Sequence, residues 1–179
     1  MAVRSVIACC AILVRQVATV PTASKIGTVS VVGAKAKLFK NGGHPLIFEG
    51  AVKRAENVQV GQAVNVIDGA GDLIGWGVWN PHSLYRVRML CASNEHVSHR
   101  NIDEVVRARL MEAALRREAC CLPSESTTAY RLVNSEGDRI SGLTVDVFGK
   151  TAVAVSSALW LELRRPVVTA ALQELPGIE

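Results

Sequence analysis

The residues with the clearest chemical potential lie in YRLVNSEGDRISGLTVDVFGK, Tyr130 to Lys150, where Ser135, Glu136 and Asp138 stand close together. A hydroxyl beside two carboxylates is raw material for acid–base or nucleophilic work. Gly137 and Gly142 interrupt the run, however, and the same residues read more economically as a polar turn between two strands. A second candidate is GAGDLIGWG, Gly69 to Gly77. Cradling a phosphate or a nucleotide cofactor requires strand, glycine loop and then helix. Here another strand, LIGWGVW, follows the glycines, so a hairpin turn is expected, with Gly75 and Gly77 marking a bulge or a close backbone approach.

Metal and thiol chemistry find little support. His44, His82, His96 and His99 are scattered through polar loops, and a solvated linker explains His96 and His99 near Cys91 better than a ligand set does. Cys9, Cys10, Cys91, Cys120 and Cys121 match no metal-ligand spacing, and their odd number argues against a disulfide framework. Cys120 and Cys121 are expected as buried or half-buried thiols at a helix end, and a reducing, intracellular setting is the better fit.

What remains is a cationic surface. Lys53 and Arg54 follow an apolar segment, and Arg86 and Arg88 alternate along YRVRML beside the loop WNPHS, with Trp79 and Tyr85 available for stacking. Four cations on one side suit a few phosphates; a plain solvated strand face is the competing account. Net charge lends no further weight. The chain carries +4, but residues 1–48 hold Arg4, Arg15, Lys25, Lys35, Lys37 and Lys40 with no acid, leaving 14 of the 20 basic residues against all 16 acidic ones.

The elements that position these residues follow from periodicity. AKLF reads as a short strand and HPLIFEGAV, His44 to Val52, as a turn plus helix. QAVNVIDG, LIGWGVWN and YRVRML read as strands, with Tyr85, Val87 and Met89 facing one side and Arg86 and Arg88 the other. Close-set short strands predict a small barrel. From Asn101 the spacing becomes helical, opened by the Asn101/Glu104 capping signature and closed by Pro123. Strands are expected at 130–134, 143–148 and 151–156, then a helix over 159–174. That helix, three-stranded sheet and helix make a compact α+β unit. The boundary falls in CASNEHVSH, 91–99, giving a leader over 1–33, a barrel over 34–92 and the α+β unit over 100–179.

The leader is rich in small and hydroxylated residues, as an organellar transit peptide is, mitochondrial or plastid. VIACCAILV after Arg4 leaves a secretory reading open, and a disordered N-terminus is the third alternative; without an organellar address the protein is expected in the cytoplasm. No run approaches the ~18 apolar residues of a membrane span.

HPLIFEGAV, AVNVIDGAGDLIGWGVWNPHS and YRVRML, in that order, resemble the N-terminal PUA domain of the large-subunit ribosomal RNA cytosine-C5 methyltransferases, and YRLVNSEGDRISGLTVDVFG resembles the central α+β domain of the same family. The resemblance spans residues 35–179 and implies an α+β chain: a small PUA-like barrel followed by a linker domain. It implies structured RNA, rRNA foremost, as partner, with Lys53, Arg54, Arg86 and Arg88 as positioning cations and Asn80 reaching a base or a 2′-hydroxyl. It leaves room for a homodimer. The family transfers a methyl group from S-adenosylmethionine to cytosine C5, using a cysteine in a C-terminal Rossmann-like domain. Leu46 departs from the family's usual Trp, and Arg139-Ile140-Ser141 from Gly-Leu-Pro. The chain ends at Glu179, before a Rossmann-like domain, and none of its five cysteines matches the catalytic one. The resemblance therefore carries over RNA binding and linkage, with no catalytic or cofactor residue and no metal. A standalone RNA-binding or assembly module, and a small enzyme using the 135–138 turn, are the rival readings.

Overall fold

The computed structural model describes residues 26–95 and 101–179, and these form two compact units. His96 and His99, and residues 1–25 of the expected leader, lie outside the described residues.

The first unit is a curled six-stranded sheet. Its strands are β1 (Gly27–Val31), β2 (Leu46–Phe48), β3 (Val52–Glu56), β4 (Ala63–Ile67), β5 (Leu73–Trp79) and β6 (Tyr85–Ala92), and one helical turn, α1 (Gly33–Ala36), follows β1. The order across the sheet is β2-β6-β5-β4-β1-β3. β1 runs parallel to β4, and every other pairing is antiparallel. Val29, Val31, Ile47, Val64, Val66, Ile74, Trp79 and Val87 fill the interior. Three expectations are corrected here. β1 falls inside the stretch assigned to the leader, yet Val29 and Val31 are fully buried. The stretch read as the strand AKLF is instead the last residue of α1 and the turn after it. The stretch read as a helix at HPLIFEGAV is β2, a single 3-10 turn (Glu49–Ala51) and β3, because its backbone finds partners in β6 and β1.

The curl is produced locally. Each of four pairings carries an extra residue on one strand: Lys53 in β3, Ile74 in β5, and Arg86 and Leu90 in β6. Such bulges bend a strand and increase its twist. Between β5 and β6 the backbones come so close that only glycine fits. A Cβ on Gly75 would lie 2.2 Å from the Cys91 carbonyl oxygen, and one on Gly77 2.2 Å from that of Arg88. The turn between β4 and β5 is the expected hairpin. Asp68 Oδ1 accepts from the N–H groups of Ala70 (2.9 Å) and Asp72 (3.0 Å), and its Oδ2 accepts from Lys40 Nζ (2.7 Å). The Lys40 bond, first among these influences, holds the Asp68 carboxyl below its usual range.

The second unit follows its sequence pattern closely. α2 (Ile102–Ala119) begins at Asn101, whose Oδ1 accepts from the N–H groups of Asp103 and Glu104 while its Nδ2 donates to Glu104 Oε1. β7 (Ala129–Asn134), β8 (Leu143–Phe148) and β9 (Thr151–Ser156) form an antiparallel meander. The final helix is two, α3 (Leu159–Glu162) and α4 (Arg165–Gln173). Pro166 lies in the first turn of α4, where it lacks the N–H that would continue an earlier helix. Cys120 and Cys121 are exposed, not buried, because α2 ends there and Cys121 turns left-handed, with φ 58°.

Asp138 ties this unit together and is 2% exposed. Its Oδ1 accepts from Arg116 (Nη2, 3.0 Å) and Arg117 (Nη1, 3.2 Å), and its Oδ2 from Arg117 Nη2 (2.5 Å) and the Asn134 N–H (2.6 Å). Burial is the largest single influence on this carboxyl and pushes its pKa up, but the bonds from Arg117, Asn134 and Arg116 together outweigh it, and the net direction is down. The 135–138 turn is thus structural throughout. Glu136 accepts from Ser141 Oγ (2.7 Å), and Ser135 Oγ accepts from the Gly142 N–H (2.8 Å).

Two outcomes are expected. Gly77→Ala should lower stability in urea unfolding by at least about 1–3 kcal/mol, since the added methyl meets backbone that cannot give way. Asp138→Asn should cost about 1.5–3 kcal/mol by removing charge-assisted bonds from two arginines whose guanidinium groups still reach water. With its folded pKa depressed, Asp138 stabilises fully above its unfolded value of about 3.9, and the contribution is lost as pH falls through the lower folded value. Acid titrations of stability should therefore be flatter in Asp138→Asn than in the native chain.

Candidate nucleic-acid interface

The outer side of β2 and β6 is set by the bulge at Arg86. Ile47 faces Val87, and both are fully buried. Leu46 faces Arg88 on the opposite side of the sheet. Past the extra residue, Phe48 faces Tyr85. Phe48 follows Ile47 directly, so it points outward with Leu46, and Tyr85 points outward with it. Strict alternation along YRVRML predicts Tyr85 beside Val87; the bulge puts it beside Arg88. The Arg88 Cζ stands 5.4 Å from the centre of the Tyr85 ring, a cation–π contact. Phe48 and Tyr85 have ring centres 5.1 Å apart, and His44 has its ring centre 5.6 Å from that of Phe48. Phe48 is 39% exposed.

The remaining candidates are placed as follows. Arg86 forms an ion pair with Glu49; its side chain is 19% exposed and that of Glu49 60%. Lys53 and Arg54 are both exposed. They are neighbours on one strand and would face opposite ways, but Lys53 is the bulge residue, and this frees both from the interior. Arg54 pairs with Glu56 at 2.6 Å. In the order of strands, β3 and β6 are separated by β5, β4 and β1. The chain brings them nearer, because Arg54 lies five residues beyond Glu49, a reach of at most about 17 Å. Asn80 opens the loop before β6. Its Oδ1 accepts from the His82 N–H at 2.9 Å, and its backbone N–H donates to the Arg86 carbonyl at 2.8 Å. The loop thus uses the amide oxygen of Asn80. Trp79 is 7% exposed and belongs to the core, so it offers no stacking surface.

Sequence reasoning missed Phe48 and His44, since HPLIFEGAV was read as helical. The available signal was the alternation in Leu46-Ile47-Phe48, too short to outweigh its neighbours. Among the described residues, no three His, Cys, Asp or Glu side chains converge on a metal-sized site, and no helix is long and apolar enough to cross a membrane.

Residues 31–92, which include most of this curled sheet, match the family model for a PUA-like domain. Beyond that domain the chain is homologous to large-subunit rRNA methyltransferases. It is 32% identical over 133 residues to ribosomal RNA large subunit methyltransferase I of Alteromonas mediterranea, covering 74% of this chain and 32% of that protein. The namesake from Salmonella paratyphi B is 28% identical over 131 residues, 73% of this chain and 32% of that protein. The chain thus spans about a third of the length of these relatives. Among solved structures, SMU.776, assigned as a methyltransferase and crystallised with SAH, superposes with a TM-score of 0.66 at 19% identity over 86% of this chain and 38% of that one. A protein from Streptococcus mutans assigned as a SAM-dependent methyltransferase gives 0.66 at 18%, over 86% of this chain and 39% of that one. At these identities the likeness is one of fold.

Glu49→Gln should change unfolding stability by less than about 1 kcal/mol, because one partner of the Arg86 pair is largely in water. Thermal or urea denaturation of the two chains side by side reads this directly.

Proposed function

We propose that residues 26–95 bind structured RNA, ribosomal RNA in particular, and that residues 101–179 link this module to the catalytic part of an S-adenosylmethionine-dependent rRNA cytosine-C5 methyltransferase. The supporting observation is the 32% identity to a ribosomal RNA large subunit methyltransferase over 133 residues, a stretch longer than either unit. Lys53, Arg54, Arg86 and Arg88 position the RNA through its phosphates, and the Asn80 amide donates to a base or a 2′-hydroxyl. Methyl transfer is assigned to a domain outside residues 26–95 and 101–179, so no residue described here is assigned to the cofactor. The acid-free leader supports delivery to a mitochondrion or plastid.

The geometry favours this reading over a catalytic turn at 135–138, where each side chain is committed to the fold. Filter binding of large-subunit rRNA fragments tests it. If four phosphates are held, log K should fall against log salt with a slope of roughly −3. Arg86→Ala/Arg88→Ala should weaken binding and make that slope shallower by about 1.5. Unchanged affinity and slope would remove this surface.

A further inference from the structure

We infer that Phe48, Tyr85 and His44 form a stacking shelf for an unpaired RNA base, with Arg88 at its rim for the adjoining phosphate. This rests on the RNA-binding reading above and goes beyond it, because phosphate contacts alone read no base. The chain has eight Phe, Trp and Tyr residues, and Phe39, Trp76, Trp79 and Trp160 are buried. Phe48 and Phe148 are the exposed Phe residues among the described ones. Phe148 sits at the tip of the β8–β9 turn, whereas Phe48 contacts two other rings.

A Phe left open to water beside a Tyr and a His gains from a flat apolar partner. Arg88, held over Tyr85, sets a cation beside that partner and so favours one carrying negative charge. A nucleotide meets both conditions. Its base must be free to leave the helical stack, since paired bases present only their edges; the occupant is therefore a loop or bulge nucleotide and not a duplex. Arg86 pairs with Glu49, and Arg88 is the cation that stands over the Tyr85 ring.

The full chain is titrated with a labelled RNA stem–loop and with a blunt duplex of the same stem, followed by fluorescence anisotropy. The native chain should prefer the stem–loop. Phe48→Leu, which keeps an apolar side chain at a half-exposed position, should lose about tenfold on the stem–loop and little on the duplex, with an unchanged salt slope. Phe48→Trp should restore binding, and its added indole emission should be quenched by the stem–loop. If Phe48→Leu binds both RNAs as the native chain does, the shelf is wrong while RNA binding stands. Equal losses on both RNAs would make Phe48 a merely structural residue and also overturn the shelf. If the native chain binds neither RNA, the underlying reading fails, and the shelf with it.

Discussion

A sheet whose two outermost strands are neighbours in the chain cannot lie flat. β2 and β3 occupy opposite edges, yet only Glu49–Ala51 separate them. That short tether brings the two edges within about 14 Å of each other. Much else in the first unit follows from it. Four strand irregularities supply the bend, glycine at 75 and 77 lets β5 and β6 close up, and the space enclosed is filled mainly by Val and Ile. The two edges, which in an open sheet would be free to pair with other chains, are brought together by the curl.

The second unit achieves order differently. It has a short meander with α2 packed on β7 and α4, and its least regular stretch is held by a buried carboxylate. Asp138 gathers two arginines from the last turn of α2 and the backbone of Asn134, so one side chain connects helix, strand and turn. Replacing such a cluster with apolar residues is often neutral for stability. What the ionic version adds is direction, since each bond has one geometry that satisfies it. The run of charges in this tract, suggestive of catalysis when read as letters, is explained by that demand.

Legibility in the sequence followed the range of the interactions involved. α2, its Asn101 cap and the hairpin at 69–72 depend on neighbours a few residues away, and the three strands after α2 pair only with the strand next in the chain; each was readable. β1, β2 and β3 were not. They are short, and their hydrogen bonds go to strands distant in sequence, so tertiary pairing overrode local preference. The cations were recognised as a group, but their facing was not, because bulges at Lys53 and Arg86 are invisible to a count by twos. Trp79 shows the same limit: it adjoins a polar loop in sequence yet belongs to the interior. Family resemblance was legible because it draws on order and motif, which do not depend on knowing the register.

The extra residue in β6 has an implication for how such a surface changes over time. Because Arg86 is bulged, Tyr85 stands outward beside Phe48 although it lies two residues from the inward Val87. One further residue in β2, opposite Arg86, would restore strict alternation and turn both rings towards the interior while every existing letter stayed the same. Residue-for-residue exchange cannot produce that outcome; gain of a single codon can. The outward chemistry of this strand pair is therefore inherited as a length, and two relatives with the same aromatic and basic residues but strands differing by one position would present opposite faces.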